Sequence, residues 1–247
     1  MTSLPSLPRP GTPHGRDVRG MFAAITPAYD LLNRLFSGRL DTRWRRLAAR
    51  AATDRLAPCA RLLDLATGTG DLAADLAKAA PGARVFGADF TRPMLDRAAA
   101  KFGPDPFSWI EADALALPFP DNSFDAATIA FGLRNIADRP RALAEMARVL
   151  RPGGRLAILE FGRPRNRLWR ALFELYSFQI MPRVGRLISG SMAYLYLARS
   201  IREFWSAGEL AGRMAEAGVP PIAVTPLLGG IVYLHVGVKS KPPVEPA

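Results

Sequence analysis

DLATGTGD (64–71) is the stretch on which the reading of the fold turns. It closes a short apolar run, RLLDLA (61–66), and opens an amphipathic stretch from near Gly70 to Lys78, which is the pattern of strand, glycine turn and helix. Gly68 and Gly70 carry no Cβ, so the backbone there can pass close to a ligand. Working outward, ARVFGAD (83–89) reads as a second strand, followed by a helix from Thr91, whose hydroxyl is placed to cap it ahead of Pro93. FSWIEA (107–112), FDAATIAF (124–131) and RLAILEF (155–161) are three more strands. A helix over residues 140–150, capped by Asp138 and stopped by the turn RPGG (151–154), separates the last two. Ser206 and Glu209 form the S-x-x-E capping box of a helix that Gly218 closes, and strands at 223–227 and 230–239 complete the set. Strands and helices alternating at this rhythm predict an α/β fold with a parallel sheet covered on both faces.

Three segments stand outside that rhythm. Residues 1–16, MTSLPSLPRPGTPHGR, are rich in proline and small polar residues and predict a disordered tail without the apolar core of a signal peptide. Residues 21–53 have apolar residues at helical spacing and predict N-terminal helices. Residues 165–205 hold Trp169, Phe173, Tyr176, Phe178, Tyr194, Tyr196, Phe204 and Trp205 and are too long for a connection, so they predict an inserted helical cap. A single domain over 17–247 accommodates all of this.

Composition narrows the function classes. Cys59 is the only cysteine, which excludes an intrachain disulfide and a multi-cysteine metal site; no metal is expected. No apolar run is long enough to span a bilayer, and the expected location is cytoplasmic, at most peripheral on a membrane. The formal net charge of +11 suits nucleic acid, anionic lipid or an acidic metabolite equally, and decides nothing by itself. His235 in the last strand reads as a structural histidine.

Nineteen residues after Gly70 the second strand ends in Asp89, a carboxylate able to accept hydrogen bonds from both hydroxyls of a ribose. That describes any nucleoside site, a dinucleotide's included. Three details favour S-adenosylmethionine. The turn A-T-G-T-G lacks the third glycine of the dinucleotide pattern, Asp64 and Asp71 suit an ammonium and a sulfonium better than a pyrophosphate, and Asp113 and Ala114 end the third strand where an adenine amino group would lie. The LRPGG turn (150–154) also recurs before strand five in class I methyltransferases.

With these residues in hand, the sequence closely resembles the ubiquinone/menaquinone biosynthesis C-methyltransferase family from about residue 21 to 239. YDLLN (29–33) and FGLRN (131–135), together with YLYLARSI (194–201), carry the resemblance; LDLATGTGDLA (63–73) alone would be common to many methyltransferases. The resemblance implies a class I, Rossmann-like fold of seven strands with the last antiparallel, and cofactor contacts at Thr67, Asp89, Asp113 and Ala114 beside Gly68 and Gly70. It implies that Tyr29, Arg134 and Asn135 line a substrate pocket for a prenylated quinol. Ala130 stands where the family often has serine, so a side-chain hydrogen bond to the cofactor is unavailable there. Homodimerisation is left open.

Methylating an aromatic carbon needs an electron-rich ring, and a quinol that loses a hydroxyl proton provides one. Arg134 is suited to steady the resulting oxyanion. Asn135 and Tyr29 can hydrogen-bond the same oxygen or hold a water, and both that water and Glu160 are admissible as the base. The alternative for Arg134 is a surface ion pair with Asp125 or Asp138. Demethylmenaquinol is the expected acceptor, with the benzoquinol precursor of ubiquinone the alternative. No nucleic-acid partner is expected: FGLRN replaces the N/D-P-P-aromatic motif of amino methylation, and Cys59 precedes the first strand, away from a cytosine C5 site. A non-catalytic scaffold is the remaining alternative. The aromatic cap reads either as core or as an apolar tunnel, and with Arg163, Arg165, Arg167, Arg170, Arg183 and Arg186 around it predicts peripheral contact with anionic membranes.

Overall fold

The computed structural model describes residues 15–26, 29–184 and 193–240. Seven strands, β1 (Arg61–Leu65), β2 (Arg84–Asp89), β3 (Phe107–Glu111), β4 (Phe124–Ala130), β5 (Leu150–Phe161), β6 (Pro221–Leu227) and β7 (Val232–Val238), form one sheet of order β3-β2-β1-β4-β5-β7-β6. β1 to β5 pair in parallel, and β7 runs antiparallel to both β5 and β6. This is the class I S-adenosylmethionine-dependent methyltransferase fold. The chain winds outward from β1 to β3, then returns to β4 on the other side of β1. The carboxyl ends of β1 and β4 therefore flank a topological switch point, where a crevice opens.

Alternation within β1 shows how two cores are separated. Leu63 and Leu65 enter one apolar cluster with Phe124, Ile129 and Met146, whereas Leu62 enters the other with Trp44, Leu76 and Val85. Successive side chains of a strand point to opposite faces, and both faces of this sheet are covered. The second cluster rests on α3 (Leu40–Thr53) and α4 (Asp71–Ala79), the first on α6 (Arg139–Val149).

Several expected boundaries hold and several move. The Asp138 side chain accepts from Arg141 N at 3.0 Å and caps α6 as expected. Thr91 stands at the N-cap of α5 (Arg92–Phe102) with proline in the first turn, but its side chain makes no capping bond; its backbone N–H instead donates to Asp89 Oδ1 at 2.8 Å. RPGG does not separate helix from strand. Leu150 already pairs with Phe124 and Arg155 with Ala126, so residues 151–154 loop out of β5, with Gly153 at φ 82°.

The N-terminal helical region is three helices: α1 (Gly15–Ile25), α2 (Tyr29–Ser37) and α3. Gly38 and Arg39, at φ 57° and 65°, turn the chain between the last two. α1 begins inside the stretch expected to be tail; residues 1–14 lie outside the described residues. Among the described residues the cap includes α7 (Arg167–Leu175), a π-helical turn over Tyr176–Ile180, helical residues 181–184, and α8 (Ala193–Glu203). Arg186 and the side chain of Tyr194 lie outside the described residues. α9 (Ala207–Glu216) opens with the predicted capping box, both Ser206 and Glu209 bonds being present. Among the described residues no helix is long and apolar enough to cross a membrane.

Candidate active site

Two cavities meet above the switch point. One, of about 290 Å³, lies between the ends of β2, β3 and β4 and is lined by Asp89, Phe90, Thr91, Met94, Asp113, Ala114 and Ile136. The other, of about 370 Å³, runs from the glycine turn into the cap, past Arg134, Phe161, Trp169, Leu172, Tyr176 and Leu197. Phe22, Tyr29, Ala66, Gly68, Ala130, Phe131 and Asn135 line both. The smaller cavity carries the carboxylates Asp89 and Asp113; the larger is charged beside the glycine turn, at Asp64, Asp71, Arg45 and Arg134, and aromatic and aliphatic where it enters the cap.

The glycine turn is held from below. Asp64 is buried in β1, where its carboxylate accepts from the Thr67 hydroxyl at 2.6 Å and the Thr128 hydroxyl at 2.7 Å. Burial pushes its carboxyl up to about 7 against those hydrogen bonds, and nearby Asp89 pushes the same way. Asp89 Oδ2 accepts from Gly68 N at 2.9 Å, fixing the turn; burial also raises this carboxyl above its ordinary range. A carboxylate has about four acceptor sites. Asp89 thus retains capacity for ribose hydroxyls in the smaller cavity. Asp113 Oδ1 accepts from Leu115 N at 2.9 Å on the opposite wall.

The two glycines of the turn differ in purpose. Gly68, at φ 56°, faces both cavities, and a Cβ there would meet nothing nearer than Tyr29 Cε1 at 3.8 Å. Gly70, at φ 82°, lines neither cavity; a Cβ there would lie 2.7 Å from the Trp109 ring. Gly68 leaves room for a ligand, whereas Gly70 leaves room for a tryptophan.

Arg134 and Asn135 lie on a single 3₁₀ turn, Leu133–Asn135, directly after β4. Arg134 is only 6% exposed, and its partner is neither Asp125 nor Asp138: Nη1 donates to Glu160 Oε1 at 2.8 Å and to the Phe131 carbonyl. Glu160 also accepts from the backbone of Phe161 at 2.9 Å and of Arg134 at 3.3 Å, and lines neither cavity. Glu160, admissible as a base from its position in the sequence, is instead the counter-ion that lets a guanidinium sit inside the protein. Arg134 Nε, Asn135 Oδ1 and the Tyr196 hydroxyl are buried with no hydrogen-bond partner among the described residues. Burial raises the Tyr29 and Tyr196 phenols above their ordinary value, which keeps both protonated as donors.

The structure brings together Tyr29, Thr67, Gly68, Asp89, Asp113, Ala114, Arg134 and Asn135 around the paired cavities, and sets Gly70 aside as a packing residue. The sequence reading missed Asp30, Thr69, Arg45, Lys101 and Tyr196. Asp30 lies inside YDLLN and Tyr196 inside YLYLARSI, so the motifs were the available signal. Asp71, expected beside the cofactor's cationic groups, lines the larger cavity, and its carboxylate is shared between Arg45 at 3.1 Å and Lys101 at 2.7 Å. Among the described residues no cluster of histidine, cysteine and carboxylate could hold a metal ion.

Comparison with known proteins decides which methyltransferases these are. A model of the ubiE/COQ5 methyltransferase family matches residues 12–239. The chain belongs to that family. It is 50% identical over 220 residues to the demethylmenaquinone methyltransferase of Thermus thermophilus, covering 88% of this chain and 99% of that one. It is 45% identical over 230 residues to the ubiquinone/menaquinone biosynthesis C-methyltransferase UbiE of Syntrophotalea carbinolica, covering 92% and 96%. Among solved structures, the [4+2]-cyclase SpnF superposes with a TM-score of 0.69 at 18% identity over 93% of this chain and 97% of that one. A putative methyltransferase in complex with the Haloferax volcanii Trm112 activator gives 0.65 at 20%, over 89% and 98%. At those identities the likeness is one of fold. As a member of the ubiE/COQ5 family, the chain is an S-adenosylmethionine-dependent methyltransferase, and the acidic, glycine-lined smaller cavity fits that cofactor.

Proposed function

We propose that this enzyme methylates a ring carbon of a prenylated quinol, converting demethylmenaquinol to menaquinol. The observation that carries the reading is a larger cavity, aromatic and aliphatic at its cap end, joined to the nucleoside-type cavity, with Asn135 on the shared wall and a buried Arg134 beside it. The naphthoquinol ring is favoured over a benzoquinol by the names of the Thermus relative and of a Deinococcus radiodurans relative, 49% identical over 207 residues, both demethylmenaquinone methyltransferases.

S-adenosylmethionine, bound in the smaller cavity, supplies a methyl group on a positively charged sulfur. Thr67, Gly68, Asp89, Asp113 and Ala114 bind and orient it. Arg134 stabilises the quinol oxygen as negative charge develops on it, its own charge being balanced from behind by Glu160. Tyr29 and Asn135 Oδ1 hold a water that takes the quinol hydroxyl proton. Once the ring carbon carries the methyl group, its own hydrogen is lost as a proton and the oxygen is reprotonated, so that one proton leaves in all. Phe22, Phe131 and Phe161 keep the chamber dry, which strengthens these polar contacts.

The prenyl tail leaves through the cap. Leu168, Leu172 and Leu175 on α7 and Leu31 and Leu35 on α2 are exposed, as are Arg167 and Arg183 of the cap. This face rests peripherally on an anionic membrane surface, from the cytoplasmic side. Methyl transfer from labelled S-adenosylmethionine to reduced naphthoquinol and benzoquinol acceptors, measured side by side, tests the reading. The naphthoquinol is expected to be the better acceptor; preferential transfer to the benzoquinol overturns the assignment of the ring, and transfer to neither overturns the reading as a whole.

A further inference from the structure

Nine residues are too few for a helix to persist by itself in water. α2 has only Leu32 fully buried, while Leu31 and Leu35 stand more than half exposed. Apolar packing holds α2 through two small clusters, Leu32 and Phe36 with Met181, and Tyr29 edge-on against Phe22 at 6.2 Å. Asp30 adds polar ties. Its Oδ1 accepts from the Thr69 hydroxyl at 2.6 Å, its Oδ2 from Lys101 Nζ at 3.0 Å, and Arg97 lies 3.5 Å from the same oxygen. Lys101 also donates to Asp71 at 2.7 Å, so α2, α5 and the start of α4 meet at one ammonium group. The Asp30 side chain is 12% exposed, and charges so placed are weakly screened by salt.

Thr69 sits between Gly68 and Gly70, so its bond to Asp30 fastens α2 to the turn that floors the smaller cavity. One residue back, the Tyr29 ring stands over Gly68 on the wall common to both cavities.

We propose that Asp30 is a positioning residue for methyl transfer: by tying α2 to Thr69 and Lys101 it holds Tyr29 at the line between donor and acceptor. The proposal rests on the acceptor-side role given to Tyr29 above. Asp30 lines the larger cavity, but its carboxylate oxygens are taken up by Thr69 and Lys101, and its effect on rate passes through Tyr29.

A double-mutant cycle tests this, using Asp30→Asn, Tyr29→Ala and the two combined. The measurements are melting temperature, S-adenosylhomocysteine affinity, and kcat and KM for a short-chain reduced naphthoquinol. Misplacement by an ångström costs roughly 10²-fold in rate. Asp30→Asn is expected to lower kcat on that scale while S-adenosylhomocysteine affinity stays within about threefold, and the combined variant is expected to be no slower than Tyr29→Ala. Losses that multiply, an unchanged kcat, or a parallel loss of S-adenosylhomocysteine affinity each overturn the proposal. Should Asp30→Asn not fold, Lys101→Met replaces it in the cycle with the same expected outcomes. If the wild type prefers a benzoquinol, the cycle is run on that acceptor, so that a wrong acceptor and a wrong role for Asp30 are read separately.

Discussion

Arg134 and Glu160 face one another across 2.8 Å inside the protein, one just past the end of β4 and the other near the end of β5, and neither reaches bulk water. The pair is a local necessity before it is a catalytic device. An isolated guanidinium could not be placed at the join of two cavities without a counter-ion, because the cost of desolvating it is several kcal/mol.

Removing one partner leaves the other charged and alone. Arg134→Met and Glu160→Leu are each expected to lose about 3–5 kcal/mol of stability, and the double variant to regain most of it. Urea denaturation reads the stabilities and methyl transfer the rates. Turnover stays lost in all three if the guanidinium serves the quinol oxygen; recovery of rate along with stability in the double variant would remove Arg134 from the chemistry.

Donor binding is expected to depend on pH through Asp64, which holds Thr67 of the glycine turn from below. With its carboxyl at about 7 in the fold against an ordinary 3.8, the folded state keeps a proton between roughly pH 4 and 7 that the unfolded chain has released. Its contribution to stability is therefore present below about pH 4 and is lost as pH rises through 7. A cation prefers the ionised form, so affinity for S-adenosylmethionine rises with pH up to about 7, by at most about tenfold per unit, with a proton released on binding. Calorimetry at pH 6.5 in buffers of different ionisation enthalpy detects that proton. Asp64→Asn is expected to abolish it, and a release that survives the substitution assigns it to another group.

The two glycines of the turn separate packing from binding. Gly70→Ala forces a methyl into the Trp109 ring at a positive φ and is expected to cost about 1–3 kcal/mol in thermal or urea unfolding. Gly68→Ala has room for its Cβ and is expected to destabilise less, but to weaken S-adenosylhomocysteine binding because the methyl enters both cavities. The opposite ranking in both measurements would exchange their roles.

Much of this was legible from the residues alone. The strand–turn–helix rhythm identified all seven strands, since short apolar runs between glycine and proline turns have few other readings. The breaks in the N-terminal helical region were not legible: Arg39 turns the chain at φ 65°, a conformation arginine does not advertise. Nor was the organisation of the site. Glu160 lies 26 residues from Arg134, and Lys101 lies 71 from Asp30, so no spacing rule links them. Gly70 sits in a ligand-binding pattern, yet it answers to a tryptophan on a different strand.

The exposed leucines offer a further check. Leu168→Asp with Leu175→Asp places two charges on a face of α7 that makes no part of either cavity's polar wall. Flotation with anionic vesicles is expected to fall sharply, while transfer to a tail-less naphthoquinol in detergent-free buffer stays near wild type. Equal flotation of variant and wild type would place the membrane contact elsewhere.

Because seven residues line both cavities at once, neither chamber can be reshaped in isolation. Thermodynamic reciprocity then applies: whatever factor an occupied nucleoside site adds to the grip on the quinol, an occupied quinol site returns to the nucleoside. An inhibitor fitted to one chamber is therefore to be judged against both empty and filled states of its neighbour.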